Sequence, residues 1–226
     1  MRNLFGYSRV LAIGDIHGMY DKLIALMDEV RFDPAEDLLV CLGDYVDRGT
    51  QSLECLDYVM DLQQHHPERV IALLGNHEFA MLDYFEFRTG SGLMWLDNGG
   101  QATLRQFLQL PDTELIKRIR WISGLPICYQ KDNFYFCHAG IDPYYPLAEQ
   151  RKKDLLWIRQ KFFFSYHGNE TIVVGHTPVQ YVLSFPSGVP IPLFLPNNIM
   201  MCDTGAYLPD GKLSCVDVLS RKVWQA

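Results

Sequence analysis

Residues 38–49 read Leu38-Leu39-Val40-Cys41-Leu42-Gly43-Asp44-Tyr45-Val46-Asp47-Arg48-Gly49. A run of five apolar residues this short predicts a strand buried on both faces, and the glycine closes it. The residues after that glycine are not ordinary turn sequence: two carboxylates and an arginine stand together before a second glycine. The pattern occurs twice more. Val10-Leu11-Ala12-Ile13 runs into Gly14-Asp15-Ile16-His17-Gly18, and Val70-Ile71-Ala72-Leu73-Leu74 runs into Gly75-Asn76-His77-Glu78. Between the strands, Leu23, Ile24, Met27 and Val30, then Leu53, Leu56, Val59 and Met60, fall at helical spacing, and a third helix is expected after Glu78. This βαβαβα order predicts a parallel sheet with crossover helices, with ligands at the carboxyl ends of its strands.

Beyond the third unit the pattern changes. Residues 88–102 are glycine-rich and read as irregular, and helices are expected near 103–108 and 115–122. Strand-like segments come next, at 127–130, 133–137, 171–174, 181–185, 199–202 and 213–219, with Leu155, Ile158 and Phe162 marking one helix among them. A strand-rich second half suits a second sheet packed on the first. One domain spanning residues 1–226 is expected.

Composition sets limits. With 226 residues, 48% hydrophobic and 21% charged, the chain is globular and needs no disulfide staples to build a core. It has no apolar run of about 18 residues, so no membrane span is expected. A net charge of −7 argues against a general nucleic-acid binder, although acidic residues that hold cations are compatible with a small phosphate site. Residues 1–9 are not followed by the apolar run of a secretory leader. The six cysteines (Cys41, Cys55, Cys128, Cys137, Cys202 and Cys215) form no Cys-x-x-Cys pair and sit mostly in apolar runs. That is the usage of a reducing cytoplasm.

A lone Gly-Asp after a strand is ordinarily a turn, and a lone Gly-His carries no information. Here five such pieces come after hydrophobic runs in order, the last two being Cys137-His138-Ala139-Gly140 and Gly175-His176-Thr177-Pro178. Chance does not readily assemble such a set. Gly-Asp-x-His, Gly-Asp-x-Val-Asp-Arg-Gly and Gly-Asn-His-Glu, followed by two separated histidines, resemble the phosphoprotein phosphatase family of metallophosphoesterases. The size and the Gly99-Gly100 pair before Gln101 are most similar to its compact bacterial and phage members. The resemblance runs from Ile13 to about Gly211.

It implies a calcineurin-like α/β/β/α sandwich, two packed mixed sheets flanked by helices. By the same resemblance, one divalent metal is held by Asp15, His17 and Asp44, and a second by Asp44, Asn76, His138 and His176. Hard oxygens mixed with imidazoles and no thiolate suit Mn²⁺, with Fe or Zn²⁺ as alternatives. Two such ions acidify a shared water for direct, in-line attack on phosphorus. The resemblance further implies His77 as general acid oriented by Asp47, and Arg48 and Arg159 as phosphate grips. Arg159 stands in Leu155-Leu156-Trp157-Ile158-Arg159, which matches the family's Leu-Trp-x-Arg pattern, and is expected on a helix beside the apolar stripe. Asp203, in Asp203-Thr204-Gly205-Ala206, is a candidate hydrogen-bond partner of a metal-bound histidine, and Tyr207 lies close by in the chain.

The implied substrates are phosphorylated proteins or peptides, carrying phosphoserine or phosphothreonine and with phosphotyrosine open, with no nucleic-acid or membrane partner. A symmetrical bis(5'-nucleosyl)-tetraphosphatase of the same fold is the alternative. Such relatives usually carry Ala at the position of Asp47 and Asp at that of Glu78, so Asp47 and Glu78 favour the protein phosphatases. A binding module without catalysis would be expected to lack a ligand, and all six positions are filled. A shallow, open cleft is expected, because little chain is left for a recognition domain.

Overall fold

The computed structural model describes residues 6–86, 89–182 and 190–226. The first half forms β1 (Arg9–Ile13), α1 (Tyr20–Val30), β2 (Asp37–Cys41), α2 (Ser52–His65), β3 (Val70–Ala72) and α3 (Asn76–Glu86). As expected, β1 pairs parallel with β2, and β2 with β3. Two C-terminal strands, β9 (Ser214–Asp217) and β10 (Lys222–Gln225), complete a five-stranded sheet of order β10-β9-β1-β2-β3, with β9 antiparallel to β1.

The second sheet has the order β4-β5-β6-β8-β7, from β4 (Cys128–Lys131), β5 (Phe134–Cys137), β6 (Thr171–Val174), β7 (Leu193–Leu195) and β8 (Ile199–Met201). Its three central strands are mutually parallel, and β4 and β7 run antiparallel at the edges. Alternation along each strand divides the apolar residues into three cores. Leu11, Ile13, Leu39 and Cys41 face α1 and α2 through Leu23, Leu26, Leu56 and Val59. Val10, Ala12, Leu38, Val40 and Leu42 face Phe136, Val173 and Met200 of the second sheet. Tyr135, Ile172, Val174 and Met201 pack under α7 (Lys152–Trp157) and α8 (Gln160–Ser165) through Leu155, Phe162 and Phe163. The result is the α/β/β/α sandwich, with β2 buried on both faces.

Three expectations need correction. The segment expected to be irregular over 88–102 is largely helical from Gly90 on: α4 (Gly90–Trp95) leads through Leu96–Gly100, where Asn98 and Gly99 (φ 106°) kink the backbone, into α5 (Gln101–Phe107), and Arg88 lies outside the described residues. The single helix through Leu155, Ile158 and Phe162 is two, because the backbone is extended at Ile158 (ψ 145°) and outside the helical region at Arg159 (φ −131°, ψ −125°). The strand expected at 181–185 begins instead as a 3₁₀ turn, Val179–Tyr181, and residues 183–185 lie outside the described residues. Two short edge strands, β7 and β10, carried no readable signal. The helix over 115–122 is α6 (Asp112–Ser123).

Candidate metal centre and cleft

All six parallel strands point their carboxyl ends at one rim, where the polar motifs collect. From the first sheet come Asp15 and His17 after β1, Asp44 after β2 and Asn76 at the start of α3. From the second come His138 directly after β5, His176 after β6 and Asp203 after β8. His17, Asp44, Asp47, Arg48 and His176 all have positive φ, between 49° and 74°. A left-handed backbone on residues with a Cβ costs roughly 1–3 kcal/mol each and persists only where surrounding contacts impose it.

At Asp44 the contacts that impose it centre on Glu78, a fully buried residue. Its carboxylate accepts the N–H groups of Asp44 (2.8 Å), Tyr45 (2.7 Å), Val46 (3.1 Å) and Gly75 (3.1 Å). Asp44 in turn accepts the N–H of His77 on Oδ1 at 3.0 Å, leaving Oδ2 to face the histidines. Gly75 has no room for a side chain: a Cβ there would lie 2.2 Å from Asp44 Oδ1.

The six expected metal ligands converge. Asp44 Oδ2 lies 3.5 Å from His17 Nε2 and 3.4 Å from His138 Nε2, and Asp15 Oδ2 lies 3.8 Å from His17 Nε2. Asn76 Oδ1 lies 2.8 Å from both His138 Nε2 and His176 Nδ1. The tautomers are set from behind, since His17 Nδ1–H donates to the Val46 carbonyl (3.0 Å) and His138 Nδ1–H to that of Leu42 (2.9 Å). The Nε2 lone pairs therefore face inward, among carboxylate and amide oxygens that also only accept. Grouped by distance, ligand atoms of Asp44, His138 and His176 form one cluster, and those of His17, Asp44 and His77 another.

Electrostatics point the same way. Burial, then the neighbouring Asp203 and Asp44 carboxylates, pushes Asp15 well above the ordinary carboxyl range. Burial and Asp44 push Glu78 up to about 8 against the pull of its backbone donors, and burial pushes Asp203 up to about 6. Burial opposes ionisation of Asp44 too, but His138, His77 and His17 override it and hold Asp44 well below the usual range. Burial and His77 lower His17, and burial and His138 lower His176. Burial lowers His138 too, but Asp44 overrides it and leaves His138 raised. Crowded carboxylates beside buried imidazoles form a donor set for divalent cations, whose charge reverses this pKa logic. The residues fit two such ions.

Next to this cluster lies an open cleft of about 190 Å³, lined by Arg48, Asn76, His77, Met94, Trp95 and Trp157 among others. Its floor carries His77, whose Nδ1–H donates to Asp47 Oδ2 at 2.7 Å. Arg48 donates to His17 Nε2 at 2.9 Å and to His77 Nε2 at 3.1 Å, with its guanidinium 4.2 Å above the Tyr207 ring. Tyr207 also meets the His17 ring edge-on at 5.1 Å. Arg159 also lines the cleft and is held by Thr177 Oγ1 at 2.9 Å, reaching in because the helix breaks beneath it. On one side α4 lends the cleft a wall of Ser91, Met94 and Trp95.

Asp203 does not partner a ligand histidine. Its Oδ1 accepts the Gly205 N–H at 2.8 Å, and its Oδ2 is buried with no partner, as is His176 Nε2. Sequence reasoning missed the anchoring by Glu78, although the Gly-Asn-His-Glu motif contains it, and missed Trp95 and Thr103, which bond Asp47 from 48 and 56 residues away with no local signal. Cys215 and Arg221 have the Cys-x₅-Arg spacing of thiol phosphatases. Cys215, however, is buried in β9 with its thiol raised by burial, so it forms no phosphate loop. Among the described residues, no helix is long and apolar enough to cross a membrane.

Comparison with known proteins agrees with this geometry. Over 147 residues the chain is 36% identical to a symmetrical bis(5'-nucleosyl)-tetraphosphatase of Klebsiella pneumoniae (strain 342), a match covering 63% of this chain and 48% of that one. The chain thus spans about half the length of such relatives. It is 30% identical over 214 residues to serine/threonine-protein phosphatase 1 of Salmonella typhimurium, covering 88% of each. Among solved structures, a candidate diadenosine tetraphosphatase superposes with TM-score 0.74 at 21% identity, covering 100% of this chain and 95% of that one, a likeness of fold alone. The calcineurin-like phosphoesterase profile matches residues 8–199. With that match and these ligands on one rim, the chain belongs to the calcineurin-like phosphoesterase family.

Proposed function

We propose that this phosphoesterase is a phosphoprotein phosphatase, hydrolysing phosphoserine and phosphothreonine monoesters and accepting phosphotyrosine. The observation that carries the reading is the Asp47–His77 pair on the cleft floor, 2.7 Å apart, with Arg48 and Arg159 beside it. Asp15, His17 and Asp44 would hold one cation, and Asp44, Asn76, His138 and His176 the other, with Mn²⁺ as the proposed metal. When bound, such a pair supplies Lewis acidity and lowers the pKa of water.

The chain's own residues do the rest. Arg48 and Arg159 grip phosphate oxygens, and grip them harder as charge builds in the transition state. As water attacks phosphorus, the P–O bond to the leaving oxygen breaks. His77, taking part as the imidazolium with its Nδ1–H on Asp47 and its Nε2 freed from Arg48, passes its Nε2 proton to that oxygen. The attacking water leaves one proton on the phosphate and returns the other through solvent to His77. Asp47 holds the imidazole in the tautomer that keeps Nε2 turned to the cleft. Among the described residues, the walls between the arginines carry no further charge: Ala80, Ser91, Met94, Asn98 and Trp157 suit a neutral peptide better than a polyphosphate.

The second reading is symmetrical dinucleoside tetraphosphate hydrolysis, favoured by the 36% identity to tetraphosphatases. The near-complete overlap with the Salmonella phosphatase and the presence of Asp47 favour the first. Comparing kcat/KM for a phosphothreonine peptide and for diadenosine tetraphosphate, both in Mn²⁺, separates them. A preference of about a hundredfold or more for the dinucleotide, roughly 2.7 kcal/mol, reverses the assignment.

A further inference from the structure

We propose that Trp95 and Thr103 are positioning residues for the proton transfer, fixing Asp47 so that Asp47 can fix His77; this rests on the acid role proposed for His77. Both oxygens of Asp47 are occupied. Oδ2 accepts from His77 Nδ1–H and, at 2.6 Å, from the indole Nε1–H of Trp95. Oδ1 accepts from the Thr103 hydroxyl at 2.6 Å, and that hydroxyl accepts in return from the Asp47 N–H at 3.0 Å. Asp47, Trp95 and Thr103 are all at most 1% exposed, so water cannot substitute for a lost donor without a rearrangement of the core. A carboxylate bonded on one side only can turn about its Cβ–Cγ bond. With a donor on each oxygen its plane is set, and Oδ2 stays aimed at the imidazole.

Trp95 is itself held. A Cβ at position 100 would lie 2.4 Å from its ring, so the indole packs against a bare glycine. The start of α4 is clamped by Asp83, which accepts from Thr89 Oγ1 (2.7 Å), Ser91 Oγ (2.9 Å) and the Gly92 N–H (2.6 Å). Asp83 belongs to α3, the helix that begins with Asn76 and His77. The contacts therefore close on themselves: His77 to Asp47, Asp47 to Trp95, Trp95 through α4 to Asp83, and Asp83 back to the helix of His77. Such closure makes the acid's position a property of the cleft wall as well as of its own motif.

A purely structural role would weaken all chemistry equally; a positioning role is felt where the leaving oxygen needs its proton. The test uses the full chain in Mn²⁺ with phenyl phosphate, a poor leaving group, and 4-nitrophenyl phosphate, whose phenolate departs unaided. For Trp95→Phe and Thr103→Val, the loss of kcat should be at least about tenfold larger on phenyl than on 4-nitrophenyl phosphate, and Thr103→Ser should recover most of the difference, in line with the ten- to hundredfold effects of ligand-supporting groups. Equal losses on both esters, or a Thr103→Ser variant no better than Thr103→Val, overturn the proposal. A wild type idle on both esters but active on diadenosine tetraphosphate overturns the proposed function instead, and the acid role with it.

Discussion

Around Asp44, on the rim of the first sheet, every backbone N–H from Asp44 to Gly49 has a partner: Glu78 takes three, Ser52 and Thr103 share the fourth, and the carbonyls of Gly99 and His17 take the last two. On the rim of the second sheet, His176 Nε2 and Asp203 Oδ2 are buried with no partner. The first rim is built to hold its shape whatever occupies it. The second is stitched to the first by single bonds, His138 Nδ1–H to the Leu42 carbonyl and His176 N–H to Asp15 Oδ1 at 2.9 Å. Preorganisation is thus concentrated around Asp44, and the histidines of the other sheet are carried to it.

The contrast can be broken most severely at Asp44. Asp44→Asn keeps Oδ1 for the His77 amide but removes charge from both proposed cation positions. Turnover should fall roughly 10⁴-fold or more, with metal content near nil by elemental analysis and the far-ultraviolet spectrum unchanged. Full activity after exhaustive chelation would contradict the two-metal assignment. One step down, His77→Asn should lower kcat on a phosphothreonine peptide by roughly 10²–10⁴ and by less on aryl phosphates, in steady-state assays of both substrates.

Glu78→Gln tests the rigid rim directly. An amide has one acceptor oxygen where the carboxylate had two, so buried N–H groups of residues 44–46 lose partners. Urea unfolding should show a loss of about 2–3 kcal/mol. Arg159→Ala, beside the second sheet's histidines, should cost about ten- to thirtyfold in kcat/KM on every ester, because phosphate grip is lost without regard to leaving group. The smallest effect is expected at Asp203. Its folded-state pKa of about 6 lies above the ordinary 3.8, so the folded chain holds this proton more tightly. In chelator, that contribution is present below pH 4 and is lost as pH rises through about 6. Asp203→Asn should flatten this decline while shifting stability at pH 4 by no more than about 1 kcal/mol, read from unfolding curves between pH 4 and 6.5.

Legibility tracked the range of the forces involved. The first three strand–turn–helix units were readable because each is set by neighbours: an apolar run long enough for a strand, a glycine to close it, and motif residues within a few positions of its end. His138 and His176 were readable only in company with those motifs. The α4–α5 segment was not, since Gly90, Gly92, Gly99 and Gly100 each disfavour a helix by about 1 kcal/mol relative to alanine. Asp83 overrides that from another helix by taking the donors at the start of α4. β7 and β10, three and four residues long, exist through pairing with β8 and β9.

The sequence by itself therefore determined which residues could meet a phosphate and its metals, because metal ligands are chosen by chemistry and spaced by the strand ends that carry them. Only the tertiary structure decided what holds those residues still. Trp95 and Thr103 reach Asp47, and Glu78 spans the turn of Asp44, through hydrogen bonds whose partners lie 32–56 residues apart and become neighbours only once α3, α4 and α5 have packed beside the first sheet. Arg159 turns into the cleft for the same reason: its helix is interrupted at Ile158, and Thr177 takes its guanidinium from 18 residues away. Local sequence encodes reactivity, whereas position to a fraction of an ångström is a property of packing.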